Sequence, residues 1–155
     1  MSRLAPFAGR LWRIVFAERG AGALDPVQAP EGRFHHSGQA ALYASLSREG
    51  AGVAIARYVS PGDAARVIVP LEARFARVAD RRGEAAASIV WQGIRAGGAA
   101  APTWGFSDAA RAEGAEAMLY SSRSRPELAH IVIFDWAPGL TLVQAGPAEA
   151  WPASP

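Results

Sequence analysis

Between Gly32 and Gly38 the chain places an Arg, two His, a Ser and two Gly in seven residues, then runs into the apolar stretch Ala40–Ala44, which carries Tyr43. The first part is too polar and Gly-rich for a core strand, and the second reads as a strand rising from that loop. Polar groups at the mouth of a buried strand are held more firmly than a loop alone could hold them, which is one way to build a site. An ordinary surface loop has the same composition. Trp12-Arg13 and Tyr120-Ser121-Ser122-Arg123 add further groups of the same kind. Guanidinium groups fork onto anionic oxygens, aromatic rings offer a face to a flat heterocycle, and hydroxyls orient polar ligands. Other chemistries fit poorly. No Gly-x-Gly-x-x-Gly opens a helix, and there is no Gly-x-Ser-x-Gly. His35 and His36 are adjacent and face different sides, with His130 remote in sequence, so no metal site is expected.

The elements that must position these groups follow in order. Leu11–Phe16 reads as a strand with Arg13 among apolar neighbours, a setting that calls for an anionic partner or a water-facing edge. Residues 17–32 are a loop. Ser47 caps a helix running to about Val59, with Glu49 in its first turn and Gly50 and Gly52 weakening it. Ser60-Pro61-Gly62-Asp63 ends that helix. Arg66–Pro70 is a short strand, and Leu71, Ala73, Phe75 and Val78 continue near period two. Residues 84–96 read as an amphipathic helix closed by Gly97-Gly98, and Ser107 caps another short helix. Residues 117–121, 130–136 and 140–143 look like strands. Ile131-Val132-Ile133-Phe134 is the pattern of a strand covered on both faces. The reading is α+β, one domain over 10–145, with a C-terminal tail over 146–155 that is loose apart from Trp151, which can dock.

Composition narrows the classes further. The 155 residues suit one domain with a real core, and 50% apolar against 19% charged residues is not a disordered composition. All 16 basic residues are Arg, which explains a pI near 9.7 at a formal charge of only +2. They are dispersed, which argues against direct nucleic-acid binding. Cysteine is absent, so no disulfide is possible. Residues 1–11 lack the apolar run of a signal peptide, and 85–101, broken by Gln92 and Arg95, fall short of a membrane span. A cytoplasmic protein is expected.

The chemistry-bearing segments also form an ordered set. Leu11-Trp12-Arg13, Gly32-Arg33-Phe34-His35, Gly38, Ala41-Leu42-Tyr43 and Leu119-Tyr120-Ser121-Ser122 together resemble the RES-domain family, the toxin halves of a class of bacterial toxin–antitoxin pairs. The resemblance implies a fold similar to the ADP-ribosyltransferases, a twisted mixed sheet split around an NAD cleft. It implies that Arg13 and Arg33 fork onto the pyrophosphate, that Tyr43 offers a ring to the nicotinamide, and that His35 and Ser122 orient ribose, phosphate or amide groups. Arg33, Tyr43 and Ser122 are then the candidate catalytic residues. The family's pattern also carries a Glu eleven residues after this Tyr, and here position 54 is Ala. Such a carboxylate would hold a ribose hydroxyl and stabilise positive charge as nicotinamide leaves. Glu49 and Asp63 are the acids nearest in sequence, and Glu49 is the stand-in candidate only if the helix bends at Gly50 and Gly52, since five helical residues turn it about 140° from position 54.

The implied activity is cleavage of the nicotinamide–ribose bond of NAD, a substrate here, with no metal. ADP-ribose would pass to a protein acceptor. Phosphorolysis or hydrolysis of NAD is the alternative, and a non-catalytic NAD- or partner-binding module is another, given Ala54. The implied partner is an Xre-like antitoxin that occludes the cleft.

Overall fold

The computed structural model of the protein describes residues 4–152. Seven strands form one mixed sheet: β1 (Ala5–Phe16), β2 (Leu42–Ser45), β3 (Arg66–Asp80), β4 (Ala117–Ser121), β5 (Ala129–Ile133), β6 (Leu142–Gln144) and β7 (Glu149–Trp151). The helices are α1 (Arg48–Ile55), α2 (Gln92–Ala96) and α3 (Trp104–Ala112), with 3-10 turns at Ala17–Gly22, Ala56–Tyr58 and Ala85–Ser88. The chain is α+β, as its element pattern indicates.

β1 and β3 run antiparallel along nearly their whole length, from Phe7↔Phe75 to Phe16↔Arg66. β1 also meets β2 at Trp12↔Ser45, β2 pairs with β5, β5 with β4, and β4 runs parallel to β3. The pairings therefore close on themselves. The expected split into separate parts is not present as two sheets, because β1 is long enough to reach both β2 and β3. Leu11, Leu42, Leu71, Phe75, Leu119 and Ile131, drawn from all five strands of the cycle, meet in one buried cluster. The opposite face of β4 and β5 carries Met118, Tyr120 and Val132, covered by Phe34 and by Ala110 of α3. β5 is thus buried on both faces, which is why Ile131–Phe134 is continuously apolar.

β3 is one strand where two were expected. Pro70 does not interrupt it. Pro70 pairs with Trp12 on the β1 side and accepts from Ala145 N at 2.8 Å on the other. That second edge is where β7 (opposite Arg66–Ile68) gives way to β6 (opposite Leu71–Ala73), so no ladder bond there needs the missing N–H.

Other expectations need correction. The helix over 84–96 is broken: a 3-10 turn at Ala85–Ser88 passes through extended Ile89 into the five-residue α2. Its supposed apolar stripe is not buried, Val90 being 43% and Ile94 38% exposed. Ser107 lies inside α3 rather than capping it, and bonds back to Trp104 O. The tail is not loose as far as it is described. β7 pairs with β3, and Trp151 lies over Gly52 of α1; residues 153–155 lie outside the described range.

Candidate active site

Ser47 accepts from Gly50 N at 2.9 Å and so fixes the start of α1 against β2. Between α1, the Gly32–His36 loop, β1 and the ends of β2, β4 and β5 lies a cavity of about 760 Å³, within the range of small-molecule sites. Arg13, Arg33, His35, Tyr43 and Ser122 all line it, and so does Ala54. Glu49 does not. It is exposed and ion-paired with Arg125 at 3.0 Å, so the stand-in role expected of it is corrected. Five residues of helix separate it from position 54, about 140° of net rotation. Asp63 is also elsewhere, held by Ser60 N at 2.8 Å and Arg66 at 3.0 Å in the turn before β3.

The loop is built around Tyr43. The Tyr43 hydroxyl accepts from Phe34 N at 2.9 Å and lies 2.8 Å from His35 Nδ1. His35 Nε2 sits 2.8 Å from the Ala29 carbonyl, which can only accept, so Nε2 carries the proton and Nδ1 takes the Tyr43 O–H. Burial pushes the imidazole of His35 below its ordinary value and the Tyr43 phenol above its own. Both are neutral, and their hydrogen-bonding is spent on shaping the loop. A side chain at Gly32 would overlap the His35 ring and lie 3.0 Å from Tyr43 Oη, which is why Gly stands there. From outside, the start of α3 and its far end clamp the same loop. Trp104 Nε1 donates to Gly32 O at 2.8 Å, the Thr103 hydroxyl to Arg33 O, and Arg111 to Phe34 O at 2.8 Å. His36 turns outward, stacks on Trp104 and reaches Asp108 at 2.9 Å.

Each cavity Arg keeps part of its fork. Arg13 donates from Nη1 to the Ala23 and Asp25 carbonyls at 2.6 and 2.9 Å, and burial lowers its pKa to about 10, against the pull of Asp25. Arg33 donates from Nη1 to Ile89 O at 2.5 Å. That carbonyl is available because the chain leaves helical geometry at Ile89. Arg57 and Arg123 also line the cavity, and Glu31 is the one acid among the lining residues. Glu31 is held by Arg95 at 2.8 and 2.9 Å. The wall is therefore cationic and suited to a phosphate-bearing ligand.

Two groups escaped the sequence reading as site residues, Ser45 and His130. With Tyr120 they lie side by side across β2, β5 and β4, through the register pairs Ser45↔His130 and Tyr120↔His130. All line the cavity, and Ser45 Oγ is 2.7 Å from His130 Nδ1. His130 is remote from His35 in sequence but shares its cavity. Only strand pairing reveals this; a hint lay in Ser45 being two residues after Tyr43, hence on the same strand face. Among the described residues no group of three or more His, Asp or Glu is placed to hold a metal ion. No helix among them is long and apolar enough to cross a membrane.

The fold and site define a class: an α+β domain with a cationic, aromatic-walled cavity opening beside its sheet. The RES domain family matches residues 10–154, and the chain belongs to that family. A chain from the crystal structure of the M. tuberculosis MbcT–MbcA toxin–antitoxin complex has a similar fold, with a TM-score of 0.65 over 95% of this chain and 86% of that one. At 15% identity the likeness is one of fold. A comparison with curated protein sequences finds no match.

Proposed function

We propose that the cavity binds NAD and breaks its nicotinamide–ribose bond, and that the protein is the toxin of a toxin–antitoxin pair. The observation that carries this reading is the convergence of Arg13, Arg33, His35, Tyr43 and Ser122, from distant parts of the chain, on one cavity. Free guanidinium nitrogens of Arg13 and Arg33 take the pyrophosphate. The Tyr43 ring bears on the nicotinamide. Ser122, buried and accepting from Arg125 N at 3.3 Å, keeps its hydroxyl proton for a ribose or amide oxygen. The core then serves as an ADP-ribosyltransferase-like frame, and ADP-ribose passes to a protein side chain. An Xre-like antitoxin closes the cavity; the origin of the similar fold in a toxin–antitoxin complex supports a partner of this kind.

A second reading has its own observation. Ala54 faces the cavity where the family's carboxylate is expected, and the wall is rich in Arg. Such a site suits an acceptor that is already anionic, inorganic phosphate, or water. Incubation of the purified protein with NAD labelled on the adenylate separates these. Label in protein supports transfer to a protein acceptor; label in a phosphorylated sugar or in free ADP-ribose supports phosphorolysis or hydrolysis. Intact NAD with measurable binding identifies a non-catalytic module.

A further inference from the structure

We infer that His130, oriented by Ser45, is the general base of this cavity and activates the attacking group in a site whose family carboxylate is missing at position 54. The inference rests on the NAD-cleaving reading above and adds a residue to it.

Ser45 and His130 are direct partners across β2 and β5, are 2% and 6% exposed, and share a 2.7 Å hydrogen bond. A Cβ at Gly50 of α1 would lie 3.3 Å from Ser45 Cβ and 3.7 Å from Ala129 O. Ala54 is one helical turn beyond Gly50 on the same side of α1. Position 54 and the Ser45–His130 pair therefore face one region of the cavity. Of His130's two nitrogens, Nδ1 is the one engaged among the described residues, which leaves Nε2 to a ligand.

The assignment requires the tautomer in which Ser45 Oγ accepts from Nδ1–H, which leaves Nε2 bare and able to accept a proton; the same bond stabilises the imidazolium once formed. The attacking group is a water or acceptor hydroxyl. Its oxygen forms a bond to the ribose C1′, and the bond from C1′ to the nicotinamide nitrogen breaks. That electron pair neutralises the nicotinamide's positive charge, and the hydroxyl proton passes to Nε2 and then to solvent. Burial and the nearby Arg33 hold the imidazole down at about 4, close to an ordinary Glu. It therefore stands unprotonated at neutral pH. Binding of a pyrophosphate to Arg33 offsets that cation and makes His130 a stronger base when substrate is present. Tyr120, whose ring lies 5.4 Å from the imidazole, is neutral.

The test compares His130→Gln with the parent protein, measuring NAD affinity and the single-turnover rate of nicotinamide release separately. The expected result is a rate about 10²-fold lower, the usual loss for a proton-transfer group, with affinity within about threefold. Ala54→Glu added to His130→Gln then recovers at least about tenfold of the rate. Should His130→Gln not fold, Ser45→Ala tests the same pair, and a lower kcat at unchanged KM is expected. His130→Gln cleaving at the parental rate, or a folded Ser45→Ala with kcat unchanged, overturns the base assignment alone. A parent protein that neither binds nor cleaves NAD overturns the NAD reading and this inference with it.

Discussion

Arg33 has two tasks. Its Nη1 holds the Ile89 carbonyl, and its side chain lines the cavity, so a substitution there reads on both folding and binding. Arg33→Ala is expected to cost about 1.5–3 kcal/mol of stability, the usual value of a hydrogen bond from a charged group, and to weaken NAD binding by at least about tenfold. Arg33→Lys is expected to regain part of the stability and little of the affinity, because an ammonium cannot fork. Urea unfolding and equilibrium NAD titration check the two; unchanged affinity in folded Arg33→Ala contradicts the pyrophosphate role. Tyr43 divides differently. Tyr43→Phe keeps the ring but strands Phe34 N–H and His35 Nδ1, so a loss of about 1–3 kcal/mol in stability is expected. A Tyr43→Phe protein as stable in urea as the parent shows that the hydroxyl does not hold the loop.

At the scale of elements, α1 decides which acid could serve the site. It presents Ala54 to the cavity and Glu49 to Arg125 in solvent. Ala54→Glu is therefore expected to raise NAD cleavage by about tenfold or more, and Glu49→Gln to leave it unchanged, since a pre-placed electrostatic contact is typically worth 10²–10³ in rate. A Glu49→Gln protein that loses cleavage contradicts the placement of α1. This helix was legible in the sequence: Ser47 caps it as its type suggests, and Glu49 sits in its first turn. So were the alternation of Leu71, Ala73 and Phe75 and the two-faced burial of β5, because these patterns record local period directly. The break at Ile89 was not legible. Helical spacing there is real, but the Ile89 carbonyl goes to Arg33, a partner 56 residues away that no window of sequence contains. The strand at Glu149–Trp151 was hidden for the same reason, since it exists by pairing with β3. Of the candidate site, the loop, Arg13, Tyr43 and Ser122 were legible as residue types in order. His130 was not, because its nearness to Ser45 is a property of register.

At the scale of the whole molecule, the closed cycle of strands makes one buried histidine a reporter of global stability. β5 lies between β2 and β4 and His130 is only 6% exposed at the cavity wall, so its cationic form is poorly hydrated in the fold and fully hydrated only when the core opens. Its pKa is about 4 folded, held down first by burial and then by Arg33, against 6.5 for the ordinary group. Between these values the unfolded chain binds the proton and the folded chain does not. Stability from this group is therefore fully present above about pH 6.5 and is lost as pH falls towards 4, by about 1.4 kcal/mol per pH unit and about 3 kcal/mol in all. His35, also lowered by burial, acts in the same direction. Among the carboxylates, Asp80 is lowered chiefly by its Arg82 bond and Asp63 by Ser60 N and Arg66; their contributions are lost below about 4, outside this window. Urea unfolding of the parent and of His130→Gln at pH 7, 5.5 and 4.5 isolates the effect. The parent's excess stability over the variant is expected to shrink as the pH falls, most steeply between 6.5 and 4. A difference that stays constant across the series contradicts a neutral, buried His130.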